Sequence, residues 1–507
     1  MARVLGAVLA GIDGVPVEVE VRIHAQLPRV DVVGLPEAAV RESAARVRAA
    51  IAAAGHRFPE RRVTVNLAPA SVRKSGAGLD LPIAVGILAA AGAIDGERLA
   101  GLGLAGELAL DGRLRPVRGA ISLAIALRDE GCARVVVPRE NGPEAALTPG
   151  VEILPADDFA AVLRYLATGR GLAAASPAEM PPAPAAAAPP DIGEIRGQER
   201  AKRALEVAAA GGHGLLLVGP PGSGKTMLAR RLPGLLPPLD VEEALEVTRV
   251  HGAAGRLAGG AGMIRDRPFR SPHHAASRAG ILGGGAPPRP GEASLAHRGV
   301  LFLDELPEFD RATLESLRQV LEERRVVVAR AGGTLLFPAD FQLVAAANPC
   351  PCGHRLSRVR ECTCSEPAVA RYAARVSGPL LDRIDLHLGV PAVPWRDLAD
   401  ERPAAESSAT VRARVLAARA RQRERLADRA LRTNAEIPDA ALDALVGATP
   451  EARSLLGRAV EKLRLSARGA RRLLRVARTV ADLEGERRVE APAMAEALGY
   501  RRDEAGA

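Results

Sequence analysis

Aromatic side chains are scarce in this 507-residue chain, at 2% of residues with a single tryptophan. A protein that grips single strands by stacking their bases needs many aromatic faces, so stacking does not dominate any nucleic-acid contact made here. Cysteine is rarer still, at five residues, which excludes a disulfide scaffold and suits reduced thiols in the cytoplasm. The start of the chain lacks the basic stretch, long apolar run and small-residue cleavage site of a secretory signal. The longest apolar run, LPIAVGILAAAGAI from Leu81, is too short for a bilayer and fits a buried core helix, so no membrane partner is expected. Lysine occurs only at Lys74, Lys202, Lys225 and Lys462, in a chain that otherwise uses arginine. The formal charge of +9 invites a polyanionic partner, but arginine is spread throughout and the charge alone identifies none.

The length predicts two or three domains. Residues 1–168 carry alternating strands such as VEVEVRIHAQL and an Ala-rich helix, which predicts a mixed α/β domain. The Ala/Pro stretch across 169–190 has no apolar periodicity and reads as a semi-stiff linker. From 191 to 394, short apolar strands alternate with helices and glycine-rich loops, the pattern of a parallel α/β sheet. Residues 395–507 read as almost wholly helical.

The third segment holds the chemistry. GPPGSGKT, comprising Gly219, Pro220, Pro221, Gly222, Ser223, Gly224, Lys225 and Thr226, follows the apolar strand GLLLV and opens the helix TMLARRL. In that context it is a phosphate loop: glycines let backbone N–H groups converge on phosphates, Lys225 reaches the β and γ groups, and Thr226 offers its hydroxyl to Mg²⁺. A second apolar strand, GVLFLDEL, ends in Asp304 and Glu305. Two carboxylates at the end of a buried strand are costly unless used, Asp304 orienting the Mg²⁺ hydration shell and Glu305 polarising an attacking water. A third, FQLVAAAN, delivers Asn348 to the same edge as a sensor of the γ phosphate.

Through DIGEIRGQERAKRALE, GPPGSGKT, FRSPHHAASRAGILGGG, PRPGEASLAHRGVLFLDELPEF, AAANPCPCG and SGPLLDRIDLHL, residues 191–507 resemble the AAA+ ATPases of the magnesium-chelatase-like group, and within it the ComM (YifB) family. The resemblance implies an AAA+ domain with a C-terminal helical lid, ATP and Mg²⁺ as cofactors, and a homo-oligomeric ring, expected to be a hexamer. It also implies that Arg383 is an arginine finger inserted into a neighbour's site and that Arg468 is the second sensor in the lid. RRVVVARAGGTLLF reads as a β-hairpin. Similar proteins, including the minichromosome maintenance helicases, point such a hairpin into the ring's pore, which makes Arg330 the candidate grip on a DNA backbone. Arg278 and Arg289, in an insertion that resembles the helix-2 insert of the same clade, are weaker candidates. Contacts of this kind are sequence-independent and salt-sensitive.

Residues 61–140 resemble the Lon proteolytic domain, a fold also present in the recombination motor RadA. The catalytic serine position falls on Gly76 and the lysine position on Ile121, with Lys74 and Ser75 offset, so no peptidase activity is expected. The function implied is an ATP-dependent DNA translocase or helicase promoting branch migration in homologous recombination and natural transformation. The alternatives are the motor subunit of a magnesium chelatase and a protein remodeller or scaffold without peptidase activity. Cys350, Cys352, Cys362 and Cys364, spaced C-x-C…C-x-C, suit Zn²⁺, free thiols or a redox pair, with His354 as a substitute ligand. His273 and His274 read as packing and hydrogen-bonding residues rather than ligands.

Overall fold

The computed structural model describes residues 1–507 except 75, 177–189, 258–261, 286–287, 331–332, 356–359, 395–405 and 502–507. Ser75, most of the Ala/Pro linker and the passage around Trp395 therefore lie outside the described residues. Among the described residues, no helix is long and apolar enough to cross a membrane.

The first domain is built on a mixed seven-stranded sheet. Its strands are β1 (Ala2–Ala10), β2 (Asp13–His24), β3 (Arg29–Val33), β4 (Arg62–Ala68), β5 (Leu102–Leu104), β6 (Arg134–Pro138) and β7 (Glu152–Ala156), in the order β3-β4-β2-β1-β5-β6-β7. Strand β2 shows why the period-2 reading works: Val17, Val19 and Val21 are fully buried, while Glu18, Glu20 and Arg22 alternate with them on the other face. LPIAVGILAA forms the buried helix Asp80–Ala90, as its composition requires. After the last helix, Phe159–Thr168, the chain still touches this domain, the N–H of Ala175 donating to the Ile153 carbonyl at 2.8 Å.

The second domain has a parallel five-stranded sheet. Its strands are β8 (Leu215–Val218), β9 (Phe269–Arg270), β10 (Val300–Leu303), β13 (Gln342–Ala347) and β14 (Leu386–Gly389), in the order β9-β10-β13-β8-β14. The intervening β11 (Arg325–Arg330) and β12 (Gly333–Pro338) form a separate antiparallel hairpin, with Arg330 paired to Gly333 across its tip. Strands β10 and β13 are buried along their whole length, because a parallel sheet covered on both faces tolerates only continuous apolar runs. Val218 aligns with Ala347 and Leu303 with Ala345, so the residues that follow β8, β10 and β13 emerge together at the C-terminal edge.

The C-terminal region is helical, with long helices Ser408–Leu426, Pro450–Leu463, Ala467–Glu484 and Ala491–Gly499. It shares one apolar core with helix Glu199–Gly211 of the second domain. Buried polar bonds fix the pairing: Gln422 Nε2 donates to the Ala210 carbonyl at 2.9 Å, and the His213 ring, fully buried, bridges Asp385 and Thr479 at 2.8 Å each. Each bond satisfies a group that would otherwise be stranded away from water.

The first domain seats on the second through helix Val241–Ala253 and the hairpin. Ile12 joins the apolar cluster of Val250, Val326 and Phe337, while Arg249 bonds Asp13 at 2.7 Å and Ser122 at 3.2 Å.

Candidate active site

Gly224 adopts φ +90° immediately before helix Lys225–Leu235, a turn that only glycine makes without strain, and it frees the helix N-terminus to face a ligand. Lys225 is 8% exposed, and its Nζ donates to the carbonyls of Gly219 at 2.8 Å and Pro220 at 3.0 Å and to Asn348 Oδ1 at 3.2 Å. Burial pushes its pKa below the ordinary lysine value, with Asp304 and Glu305 opposing the shift. Thr226 Oγ1 donates to Asp304 Oδ2 at 2.8 Å. Residues from three strands, read separately in the sequence, thus meet at one sheet edge: Lys225 and Thr226 after β8, Asp304 and Glu305 after β10, and Asn348 after β13.

The residues present fit a nucleoside triphosphate with a hard divalent cation. Among the described residues the Lys225 ammonium hydrogen-bonds only neutral oxygens, although Asp304 and Glu305 are within electrostatic reach, so an anion at the loop would add the direct charged contact it lacks. Ser223 Oγ is buried in the same loop with no hydrogen-bond partner among the described residues. The Thr226 hydroxyl and Asp304 carboxylate form an oxygen donor pair suited to Mg²⁺.

Three contributors escaped the sequence reading. Glu305 sits at φ +54°, a left-handed conformation uncommon for its type, and its Oε2 lies 3.2 Å from Nδ1 of His274. His274 in turn packs against His273, ring centroids 4.2 Å apart. The hydrogen-bonding role read for this pair holds, but its partner is the carboxylate expected to activate water. Gln198 reaches from the GQERAKRALE segment to the Ser223 carbonyl at 3.4 Å and the Pro391 carbonyl at 2.6 Å, bracing the loop from outside. Gly353 packs its Cα against Pro221, so that a Cβ there would lie 2.6 Å from Pro221 Cδ. SPHH placed directly after a short strand was a usable signal for His274; Gln198 and Gly353 lie within DIGEIRGQERAKRALE and AAANPCPCG, two of the stretches that carry the family resemblance, but no role was read for either.

Arg383 lies elsewhere. It comes just before β14, at the N-terminal edge of the sheet, and the four-residue strands put that edge about 13 Å from the phosphate loop. Its side chain bonds the Pro379 carbonyl at 2.7 Å and pairs with Glu322, while its Nε is buried without a partner among the described residues. Burial lowers its pKa, and the charges of Arg318, Arg468 and Arg472 lower it further. Arg468, exposed in the first turn of helix Ala467–Glu484, precedes by one helical turn Arg472, whose Nη1 lies 3.8 Å from Asp382 Oδ1 beside Arg383, and this puts it on the side of the sheet opposite Lys225. A polar cavity of about 480 Å³ opens at that edge, lined among others by Arg383, Arg472, Arg475 and Asp385.

The hairpin read from RRVVVARAGGTLLF is present. Val326 and Phe337 turn inward, Val327 and Leu336 outward. The Arg330 side chain lies outside the described residues. Arg278 and Arg289 are both exposed, on the insertion that packs beside β11, in a short helix Arg278–Leu282 and a two-residue ladder respectively. In the first domain, Gly76 carries no side chain and Ile121 is fully buried, so neither position supplies a nucleophile or a base. Lys74 is buried, with its ammonium on the Pro69 carbonyl, and burial lowers its pKa.

The four cysteines converge. Sγ of Cys350 lies 3.4 Å from that of Cys352 and 3.6 Å from that of Cys362, Cys352 and Cys362 are 3.6 Å apart, and all four sulfurs fall within 4.8 Å of one another.

A parallel sheet with a phosphate-loop motif, an acidic strand end and an asparagine on one edge, packed against a helical C-terminal region, is consistent with an AAA+ fold of the magnesium-chelatase-like group. Three family models match the chain: "Subunit ChlI of Mg-chelatase" over 19–141, "Magnesium chelatase, subunit ChlI" over 191–398 and "Magnesium chelatase, subunit ChlI C-terminal" over 405–501. It is 43% identical to the uncharacterised protein YifB of Escherichia coli, covering 97% of this chain and 95% of that one. It is 41% identical to the competence protein ComM of Haemophilus influenzae, covering 99% and 97% respectively. A magnesium-chelatase 67 kDa subunit of Chlorobaculum parvum is 31% identical over 161 residues, 31% of this chain and 23% of that one. The chain belongs to the magnesium-chelatase-like ComM/YifB family.

Proposed function

We propose that this protein is a Mg²⁺-dependent ATPase ring of the cytoplasm that translocates on DNA and promotes branch migration during homologous recombination and natural transformation. The observation that carries the reading is the division of the catalytic set: Lys225, Thr226, Asp304, Glu305 and Asn348 occupy one sheet edge, and Arg383 and Arg468 the other. A protomer cannot bring both edges to one nucleotide, so each site is completed by the arginine face of a neighbour, and such head-to-tail contacts close into a ring.

Within a site, Lys225 would hold the phosphates and Thr226 and Asp304 the cation, which when bound would neutralise charge developing on the phosphoryl oxygens. Glu305, oriented by His274, accepts a proton from the attacking water, and Asn348 holds that water in line. Arg383 from the neighbour stabilises the transition-state charge. The hairpin, apolar on its inner face and basic at its tip, would transmit the change to a DNA backbone through Arg330, aided by Arg278 and Arg289.

The name of the competence relative, with similarity running nearly the full length of both chains, supports a DNA role. The chelatase reading has the family models, which bear the chelatase subunit's name, but the chelatase relative itself matches over 161 residues, 31% of this chain. A polypeptide remodeller is less well supported, since the hairpin tip AGG lacks an aromatic residue. The test is ATP turnover with and without four-way-junction DNA across a salt series. Stimulation that falls steeply with salt, and that Arg330→Ala abolishes while basal turnover persists, supports the proposal. Turnover indifferent to DNA at low salt would remove it.

A further inference from the structure

We propose that Cys350, Cys352, Cys362 and Cys364 bind one structural Zn²⁺ that fixes the wall of the phosphate loop. Zinc at 2.3 Å from four sulfurs in a tetrahedron spaces them about 3.8 Å apart. Three of the sulfur pairs stand at 3.4, 3.6 and 3.6 Å, within a few tenths of an ångström of that figure and far beyond the roughly 2.05 Å of a disulfide. The sulfurs come from two chain segments, and each segment contributes two. His354, the substitute ligand suggested by the sequence, is not in the cluster; four thiolates complete the shell without it.

The surroundings suit a metal thiolate centre. Cys350 is fully buried, and the backbone N–H of Cys352 points at the sulfur of Cys364 at 3.4 Å, the kind of hydrogen bond that stabilises thiolate charge. Arg355, three residues after Cys352, ties the cluster's first segment to the helix that follows the second through its 2.9 Å bond to Glu366. Binding expels the thiol protons to solvent as the metal–sulfur bonds form, so affinity rises with pH. No oxidant or reductant is required.

The placement gives the metal a task. Asn348, which accepts from Lys225, is two residues before Cys350. Gly353 follows Cys352, donates its N–H to the Cys350 carbonyl at 2.9 Å and, at φ +81°, lies flat against Pro221. The second ligand pair leads directly into helix Glu366–Ala373. Zinc therefore ties the turn that carries the sensor amide to the element behind it, holding both against the phosphate loop. Metal binding stands independently of the ATPase reading; its effect on the nucleotide rests on it.

The full chain, purified without chelator, should carry about one zinc per chain by inductively coupled plasma mass spectrometry, with Cys352→Ser and Cys364→Ser losing most of it and Cys132→Ser keeping it. Growth on cobalt should give the thiolate-to-cobalt charge-transfer band of a four-sulfur site, and a mercurial titrated into the native chain should release the zinc to a chromophoric chelator. These two measurements need no variant to fold. Substoichiometric zinc, iron in its place, or zinc unaffected in both serine variants would overturn the site. Gly353→Ala should retain zinc and bind a fluorescent ATP analogue at least about tenfold more weakly; unchanged affinity would overturn the link to the loop.

Discussion

Separating Lys225 and Arg383 by the length of the sheet makes a prediction about mixtures. Lys225→Ala removes the phosphate clamp from the protomer's own site and leaves its arginine face intact. Arg383→Ala does the reverse. Each homogeneous ring should be inactive, the finger loss alone costing about 10³ to 10⁵ in turnover. When the two are unfolded or dissociated and reassembled at equal amounts, a site works only where an Arg383→Ala protomer supplies the loop and a Lys225→Ala protomer supplies the finger. Random assembly gives each condition a chance of one half, so about a quarter of the wild-type rate per site should return. The assay is steady-state phosphate release, with native mass spectrometry showing that mixed rings have formed. The four-residue strands, about 13 Å from edge to edge, are what forbid rescue within one chain. Mixed rings that stay at background, or an Arg383→Ala ring that turns over at full rate, would refute the shared site.

Glu305→Gln should bind ATP within about twofold of the wild type and lose about 10² to 10⁴ in kcat, and His274→Ala should lower kcat by a smaller factor without changing KM, both read from initial rates. Glu144, against Gly252 at the seat of the first domain, has its pKa pushed up to about 7, chiefly by burial. The folded carboxyl therefore binds more protons than the unfolded one between its ordinary value near 4.5 and 7, so stability falls as pH rises through that window and levels off above it. Glu144→Gln should flatten the profile and stabilise the chain at pH 8 by up to about 3 kcal/mol in chemical denaturation; an unaltered profile would show that Glu144 is ionised at no cost.

Strands, long helices and the phosphate loop were legible because each is a local pattern. GVLFLDEL is a strand because four consecutive apolar residues are buried on both faces, and GPPGSGKT bends because Gly224 must adopt φ +90°. The hairpin was equally plain, its two alternating runs pairing from Arg325 to Pro338. Contacts between segments distant in sequence were not legible. Gln198 reaches Pro391 across 193 positions, and the His213 ring joins Asp385 to Thr479, 172 and 266 positions away. The SPHH pair was read as structural because no ligand stood at the right spacing along the chain, whereas its partner Glu305 is adjacent only in space.

What the sequence determined by itself is the inventory: a chain poor in aromatics and lysine, one lysine in a phosphate loop, two carboxylates and an amide each at the end of an apolar strand, and four cysteines in two pairs. Periodicity and turn chemistry act over a few residues, so they can be read in one dimension. The tertiary structure alone decided that the loop, carboxylates and amide share one edge while Arg383 and Arg468 lie on the other side, and that the four sulfurs meet in the turn whose Gly353 packs on Pro221. The reason is the parallel sheet: every strand runs the same way, so whatever follows a strand gathers at one end, and whatever precedes it is carried to the opposite side.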